Sequence, residues 1–264
     1  MHASETRTAI LTRPPGRNES LATRLRTAGW QVCIWPALDI EPLPAGSAGI
    51  PLPRDFDLAV FVSGNAATQY LSQLRALGMA AWPPSCVIGA VGPATAARVR
   101  ESGSLDELCT IVHPALDAPR HDSEALWDLL AARGPIPRRV LLVRGTAGRD
   151  WLAEQLRGHG AEVHAHAVYR RVSVRWDGDA LAQLRRWADA DCHPTWLLTS
   201  GASVEAVRAN VDGVASQDWW QGCRFVLTHP RLVELLGVPA ARAAASVRLC
   251  APADDAIFNA FVSG

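Results

Sequence analysis

Two segments of the chain carry one pattern without a gap. ILTRPPGRNESLATRLRTAGWQV (Ile10 to Val32) aligns with LLVRGTAGRDWLAEQLRGHGAEV (Leu141 to Val163). Leu11 pairs with Leu142, Arg13 with Arg144, Leu21 with Leu152, Leu25 with Leu156, Gly29 with Gly160 and Val32 with Val163. Each copy runs from an apolar stretch through an Arg and a Gly-bearing loop into an amphipathic helix that stops at Gly. The repeat predicts two similar α/β halves with a cleft between them, and clefts between domains are where ligands tend to bind.

The rest of the chain extends the pattern. Short apolar runs at 8–12, 31–35, 58–62, 87–91, 109–112, 140–143, 162–168, 195–198, 224–227 and 247–250 alternate with helical periods, among them 66–77, 93–102, 123–132, 180–189, 203–209, 230–236 and 254–261. Such alternation predicts parallel sheets with crossover helices. Two stretches break it. PALDIEPLP (Pro36 to Pro44) is bounded by prolines, and YRRVSVRW (Tyr169 to Trp176) alternates like an exposed strand. We expect residues 37–41 and 169–174 to form a two-stranded antiparallel connector. A second α/β domain, 42–168, would then be inserted into a discontinuous first domain, 1–36 plus 175–264. A split into two continuous halves near residue 135 is the simpler alternative.

Composition removes several classes of function. The 26 basic and 26 acidic residues cancel, which argues against general nucleic-acid or membrane-surface binding. All the basic residues are Arg, so Schiff-base, pyridoxal-phosphate and Walker-type lysines are excluded. MHASETRTAILTRPPG has no apolar signal core, and no run approaches the roughly 20 residues of a membrane span, so a cytoplasmic location is expected. The six cysteines lack C-x-x-C or ligand spacing and read as reduced packing thiols. His164 and His166 share a strand face but have no third ligand, so no metal site is expected.

The sharpest local signal is a strand ending in Ser-Gly before a helix, and it occurs twice. AVFVSGNAATQYL carries Ser63, Gly64 and Asn65; TWLLTSGASVEAV carries Thr199, Ser200 and Gly201. Free N–H groups at a helix start, flanked by small residues, suit an anion, although an N-cap serine in an ordinary turn looks the same. IGAVGPATAARV, with Thr95, is a third such turn; VLTHPRLVELL is its expected counterpart, with Thr228 in the matching place. Arg13 and Arg144 end equivalent strands, where they would either bind carboxylate or brace the fold. Of the two tyrosines, Tyr70 reads as packed, while Tyr169 could donate a proton to a leaving group.

In this order along the chain, these motifs resemble the uroporphyrinogen-III synthase family. LTRPPGRNESLATRLRTAGWQV, PALDIEPLP, FDLAVFVSGNAATQYL, VIGAVGPATAARVRESG, LLVRGTAGRDWLAEQLRGHGAEVHAHAVYRR, WLLTSGASVEAV and VLTHPRLVELLGV carry the resemblance across essentially the whole chain. It implies a cofactor-free, monomeric lyase. The enzyme would cyclise hydroxymethylbilane, handed over transiently by the preceding pathway enzyme, and close it to uroporphyrinogen III with inversion of ring D. By matching position, Tyr169 would assist departure of the hydroxyl. Ser63, Gly64, Asn65, Thr95, Thr199, Ser200 and Thr228 would hold the substrate carboxylates, and Arg13 and Arg144 would either join them or serve the fold. His229-Pro230 departs from the Gly- or Ser-bearing turn of many members, which weakens the case for Thr228. A non-catalytic synthase-like binding module is the alternative. A periplasmic-type solute-binding protein fits less well, because no signal segment is recognised.

Overall fold

The computed structural model of the chain describes residues 7–46, 49–79, 81–101 and 109–263. The N-terminal segment before Arg7 and the expected helix end at Ser102 lie outside them. The strands in chain order are β1 (Thr8–Leu11), β2 (Gln31–Ile34), β3 (Leu38–Pro42), β4 (Leu58–Phe61), β5 (Val87–Ala90), β6 (Ile111–Val112), β7 (Arg139–Gly145), β8 (Glu162–Ser173), β9 (Thr195–Leu198), β10 (Arg224–Leu227) and β11 (Val247–Leu249). The α-helices are α1 (Glu19–Thr27), α2 (Gly64–Ala76), α3 (Pro93–Arg100), α4 (Ser123–Ala132), α5 (Trp151–Gly158), α6 (Gly178–Asp189), α7 (Gly201–Val211), α8 (Gln217–Gly222), α9 (Leu232–Leu235), α10 (Ala240–Ser246) and α11 (Asp254–Val262). The chain divides into a terminal unit, Met1–Asp39 with Val172–Gly264, and an inserted unit, Ile40–Arg171.

In the terminal unit the sheet order is β11-β10-β9-β1-β2, and every neighbouring pair is parallel. The strands β1, β9 and β10 are almost wholly buried, because helices cover both faces. On one face Trp176, Trp196 and Trp220 pack with Leu184 and Phe225; on the other, Leu21, Leu25 and Trp30 pack with Ile257 and Phe261. The tryptophans are spread along the sequence, yet Trp35, Trp176, Trp187, Trp196 and Trp220 form one chain of ring contacts here. Short helices α8 and α10 lack the two or three turns that would make a helical period readable in sequence.

In the inserted unit the order is β3-β8-β7-β4-β5-β6. The pairs β8–β7, β7–β4, β4–β5 and β5–β6 are parallel. The Leu43 N–H donates to Val168 O at 2.9 Å and the Val174 N–H to Ala37 O at 2.9 Å, so β3 runs antiparallel to β8. A strand was expected to stop at Val168, but β8 is one strand through Ser173. The alternation of YRRVS continues the pleat instead of ending it.

The sequence repeat is a repeat of register. Thr8 faces Gln31 and Ile10 faces Cys33 in the terminal unit; Arg139 faces Glu162 and Leu141 faces His164 in the inserted unit. Likewise Leu11 faces Leu197 on β9, and Leu142 faces Val60 on β4. Each copy of the helix ends at a left-handed glycine, Gly29 at φ +84° and Gly160 at φ +88°. There is open space beside both glycines, so their requirement is one of backbone conformation alone. Gly29→Ala and Gly160→Ala should each destabilise the protein by about 1 kcal/mol, read as a shift of the urea midpoint at unchanged slope.

Candidate active site

Both sheets reverse their winding direction beside a central strand. In the inserted unit the chain leaves β4 toward β5 but leaves β7 toward β8, so the loops after β4 and β7 diverge. In the terminal unit the same happens after β9 and β1. Crevices at such switch points, outside the carboxyl ends of the strands, are where open α/β sheets bind ligands. Ser63 and Gly145 flank the first switch point; Thr12, Thr199 and Ser200 flank the second.

Ser63 adopts extended backbone and caps α2, its Oγ accepting the Ala66 N–H at 3.1 Å. Gly64 opens the helix under the Arg98 side chain: a Cβ there would lie 3.3 Å from Arg98 Cγ. Asn65 follows and is exposed, and Thr95, in the first turn of α3, is buried. The phenol oxygen of Tyr169 lies 3.2 Å from Ser63 Oγ. Two of the residues singled out in the sequence, 106 positions apart, thus share a hydrogen bond.

The phenol is aimed by two features that the sequence did not reveal. Pairing between β7 and β8 is regular to Arg144–Ala167 and then slips by one, so that Gly145 faces Tyr169. A bulge of this kind re-aims a side chain. The Tyr169 ring, 2 % exposed, then lies against the β7 backbone, where a Cβ on Gly145 would meet Cε2 and Cζ at 2.8 Å. The Thr146 N–H fixes the same turn by donating to Tyr169 O at 2.9 Å.

Three residues before Tyr169, His166 Nε2 lies 2.8 Å from Gln73 Oε1 on α2, which ties the capped helix to β8. Burial, reinforced by the neighbouring His164, holds the His166 imidazole below the usual histidine range, so the neutral ring is favoured. The other tyrosine, Tyr70, is wholly buried, its hydroxyl donates to Pro51 O, and desolvation pushes its phenol well up.

The terminal unit repeats the cap without the phenol. Ser200 and Ser203 form a reciprocal capping box at the start of α7. Thr228 Oγ1 donates to Thr199 O at 3.3 Å. By the shared register, Leu58 opposite Val87 corresponds to Thr195 opposite Arg224, so Thr228 stands where Val91 does and not where Thr95 does. The helix expected from Pro230 begins only at Leu232, because Pro230 sits in the preceding turn.

The paired arginines organise their own loops. Arg13 Nη1 donates to Asp254 Oδ1 at 2.7 Å, and the Asn18 side chain returns a hydrogen bond to Arg13 O at 2.7 Å. Arg144 is ion-paired with Asp150, and its Nη2 donates to Gly148 O at 3.0 Å. Among the described residues, no three His, Cys, Asp or Glu side chains come together as a metal site, and no helix is long and apolar enough to cross a membrane.

Gly145→Ala tests how closely the phenol is held. Its methyl must displace a ring that is packed on all sides, at an overpacking cost of about 1–3 kcal/mol. Misplacing the phenol should lower turnover by about 100-fold. Urea unfolding together with steady-state kinetics would separate the two effects.

Comparison with known proteins shows which family the chain belongs to. A family model described as "Uroporphyrinogen-III synthase HemD" matches residues 19–247. The uroporphyrinogen-III synthase of Salmonella typhimurium is 29% identical over 229 residues, covering 86% of this chain and 89% of the relative. That of Escherichia coli is 27% identical over 230 residues, covering 86% and 89%. Among solved structures, uroporphyrinogen-III synthetase from Helicobacter pylori shares the fold at a TM-score of 0.61 and 14% identity, covering 98% of this chain and 99% of that one. A uroporphyrinogen III synthase mutant from Thermus thermophilus does so at 0.53 and 16%, covering 88% and 90%. The chain belongs to the uroporphyrinogen-III synthase family.

Proposed function

We infer that this chain is a uroporphyrinogen-III synthase, with hydroxymethylbilane as substrate and uroporphyrinogen III as product. The observation that carries the assignment to a site is the Tyr169 phenol. It is held between Ser63 Oγ and the bare backbone of Gly145, at the carboxyl ends of β4 and β7. The reaction breaks a C–O bond to a hydroxyl, a poor leaving group until it is protonated. Pyrrole nitrogen electrons drive the departure from behind, so the enzyme must supply a proton and a geometry. Tyr169 gives the proton. The enzyme then holds ring D so that closure passes through the spirocyclic intermediate rather than directly to the unrearranged isomer, which is a positioning task.

The substrate carries eight carboxylates, and both units offer groups suited to anions. Ser63, Gly64, Asn65 and Thr95 belong to the inserted unit; Thr199, Ser200 and Thr228 belong to the terminal unit. The helix starts at α2 and α7, each with the first backbone N–H groups beyond the serine cap, can share this load without lysine. Arg13 and Arg144 act mainly by shaping their loops. Arg13 Nη2 is buried and has no protein partner. The discontinuous domain arrangement fits this function, with β3 and β8 as the strands on which the chain passes between units. The enzyme works as a cytoplasmic monomer that receives its labile substrate from the preceding enzyme of the pathway.

Supplied with hydroxymethylbilane, the protein should yield the type III isomer after oxidation and chromatographic separation. Formation of type I alone, as in an enzyme-free control, would overturn the assignment. Tyr169→Phe should keep the fold and lose about 100-fold in kcat, the range expected for removal of a general acid. Unchanged turnover would take the proton-donor role away from Tyr169.

A further inference from the structure

Two arginines follow the phenol on β8, and strand alternation sends them to opposite faces. Arg170 Nε donates to Glu41 Oε2 on β3 at 2.7 Å. Arg171 shares the face of Tyr169. Its Nη2 lies 3.5 Å from Tyr169 Oη, and its guanidinium carbon lies 5.7 Å from the centre of the phenol ring. Among the described residues no carboxylate pairs with Arg171, although Arg13, Arg144, Arg149 and Arg170 all have one. A cation on a strand is thus left beside a phenol oxygen that already has a serine hydroxyl on it.

We propose that Arg171 is a positioning residue for Tyr169, its cation stabilising the phenol oxygen as the proton leaves for the substrate. The proposal rests on the synthase assignment and on Tyr169 as its proton donor. In the step, the Tyr169 O–H bond breaks as the substrate C–O bond breaks. The proton joins the departing hydroxyl as water, and the O–H electron pair stays on the phenolate. The pyrrole nitrogen lone pair makes up the deficit at the methylene carbon. Negative charge therefore develops at Oη, where Arg171 supplies positive charge and Ser63 Oγ can donate a hydrogen bond. At the end of the reaction, the pyrrole carbon that forms the last bond must lose a proton. The phenolate takes it, which restores Tyr169.

The shared face separates this role from a simple carboxylate clamp. A clamp acts on bound substrate and bound transition state alike, so its loss raises KM. A group that acts through the phenol matters when charge forms there, so its loss lowers kcat.

The test compares Arg171→Ala, Arg171→Lys, Tyr169→Phe and the Tyr169→Phe/Arg171→Ala double variant, with kcat and KM measured as type III isomer formed. Circular dichroism checks that each is folded. Arg171→Ala should lower kcat about tenfold to 100-fold with little change in KM, and Arg171→Lys should recover part of the loss. Added guanidinium ion, well below denaturing concentrations, should partly restore Arg171→Ala but not the double variant. The double variant should be no slower than Tyr169→Phe alone. A rise in KM at unchanged kcat, or losses that multiply in the double variant, would overturn the proposal and make Arg171 an independent substrate ligand. Loss of rate in Tyr169→Phe with none in Arg171→Ala would overturn only the part given to Arg171. Full turnover in Tyr169→Phe would remove the proton donor, and the proposal with it.

Discussion

Everything in this fold depends on the central strands being buried on both faces. Leu58–Phe61 in one unit and Thr195–Leu198 in the other are buried at every position. Such strands cannot face water, so their crossovers must cover both sides of the sheet. Covering both sides requires the winding to reverse beside a central strand. The reversal separates two neighbouring loops and leaves their backbone N–H groups and small side chains at one sheet edge. The crevice at the switch point is thus a by-product of burying the apolar side chains of these strands. That is why the same Ser-Gly cap recurs at Ser63 and Ser200, although only one of them has a phenol beside it.

The difference between the units shows how a duplicated scaffold becomes specialised. Gly145 in the inserted unit corresponds in the repeat to Pro14 in the terminal unit. The β1–β2 ladder ends at Leu11–Ile34, before the position that corresponds to the bulge between β7 and β8. One slipped pair and one missing Cβ let the Tyr169 ring lie over the end of β7. The equivalent Arg side chains are each paired with a carboxylate, Arg13 with the distant Asp254 and Arg144 with Asp150 in its own loop.

The parts of the molecule that were legible in sequence are those encoded over short range. The repeat, the strand–helix alternation, the Ser caps and the left-handed glycines depend on neighbours within one turn or one strand. Tyr169 could be singled out because the chain has few tyrosines and this one follows a strand. What depends on a partner strand was not legible. The bulge exists only in the pairing of β7 with β8, and the Gly145 approach only once the Tyr169 ring is in place. The Arg13 partner lies 241 residues away, and Trp35 meets the rings of Trp176, Trp187 and Trp196 from the far side of the inserted unit in sequence. Thr228 is the expected match of Thr95, whereas the pairing of β9 with β10 puts it at the position of Val91.

The insertion also sets an order of assembly. Thr12 on the first strand finds its hydrogen-bond partner, Leu197, 185 residues later, whereas Asp57 and Arg139, at the ends of the inserted core, are 82 residues apart. As the chain is synthesised, the inserted unit completes its sheet while β1, α1 and β2 still wait for β9. During that interval Ile10, Leu11 and the apolar face of α1 have no sheet to cover them. The discontinuous unit is therefore the late-folding and aggregation-exposed part of the molecule, and substitutions that slow its closure will lower yield before they touch chemistry.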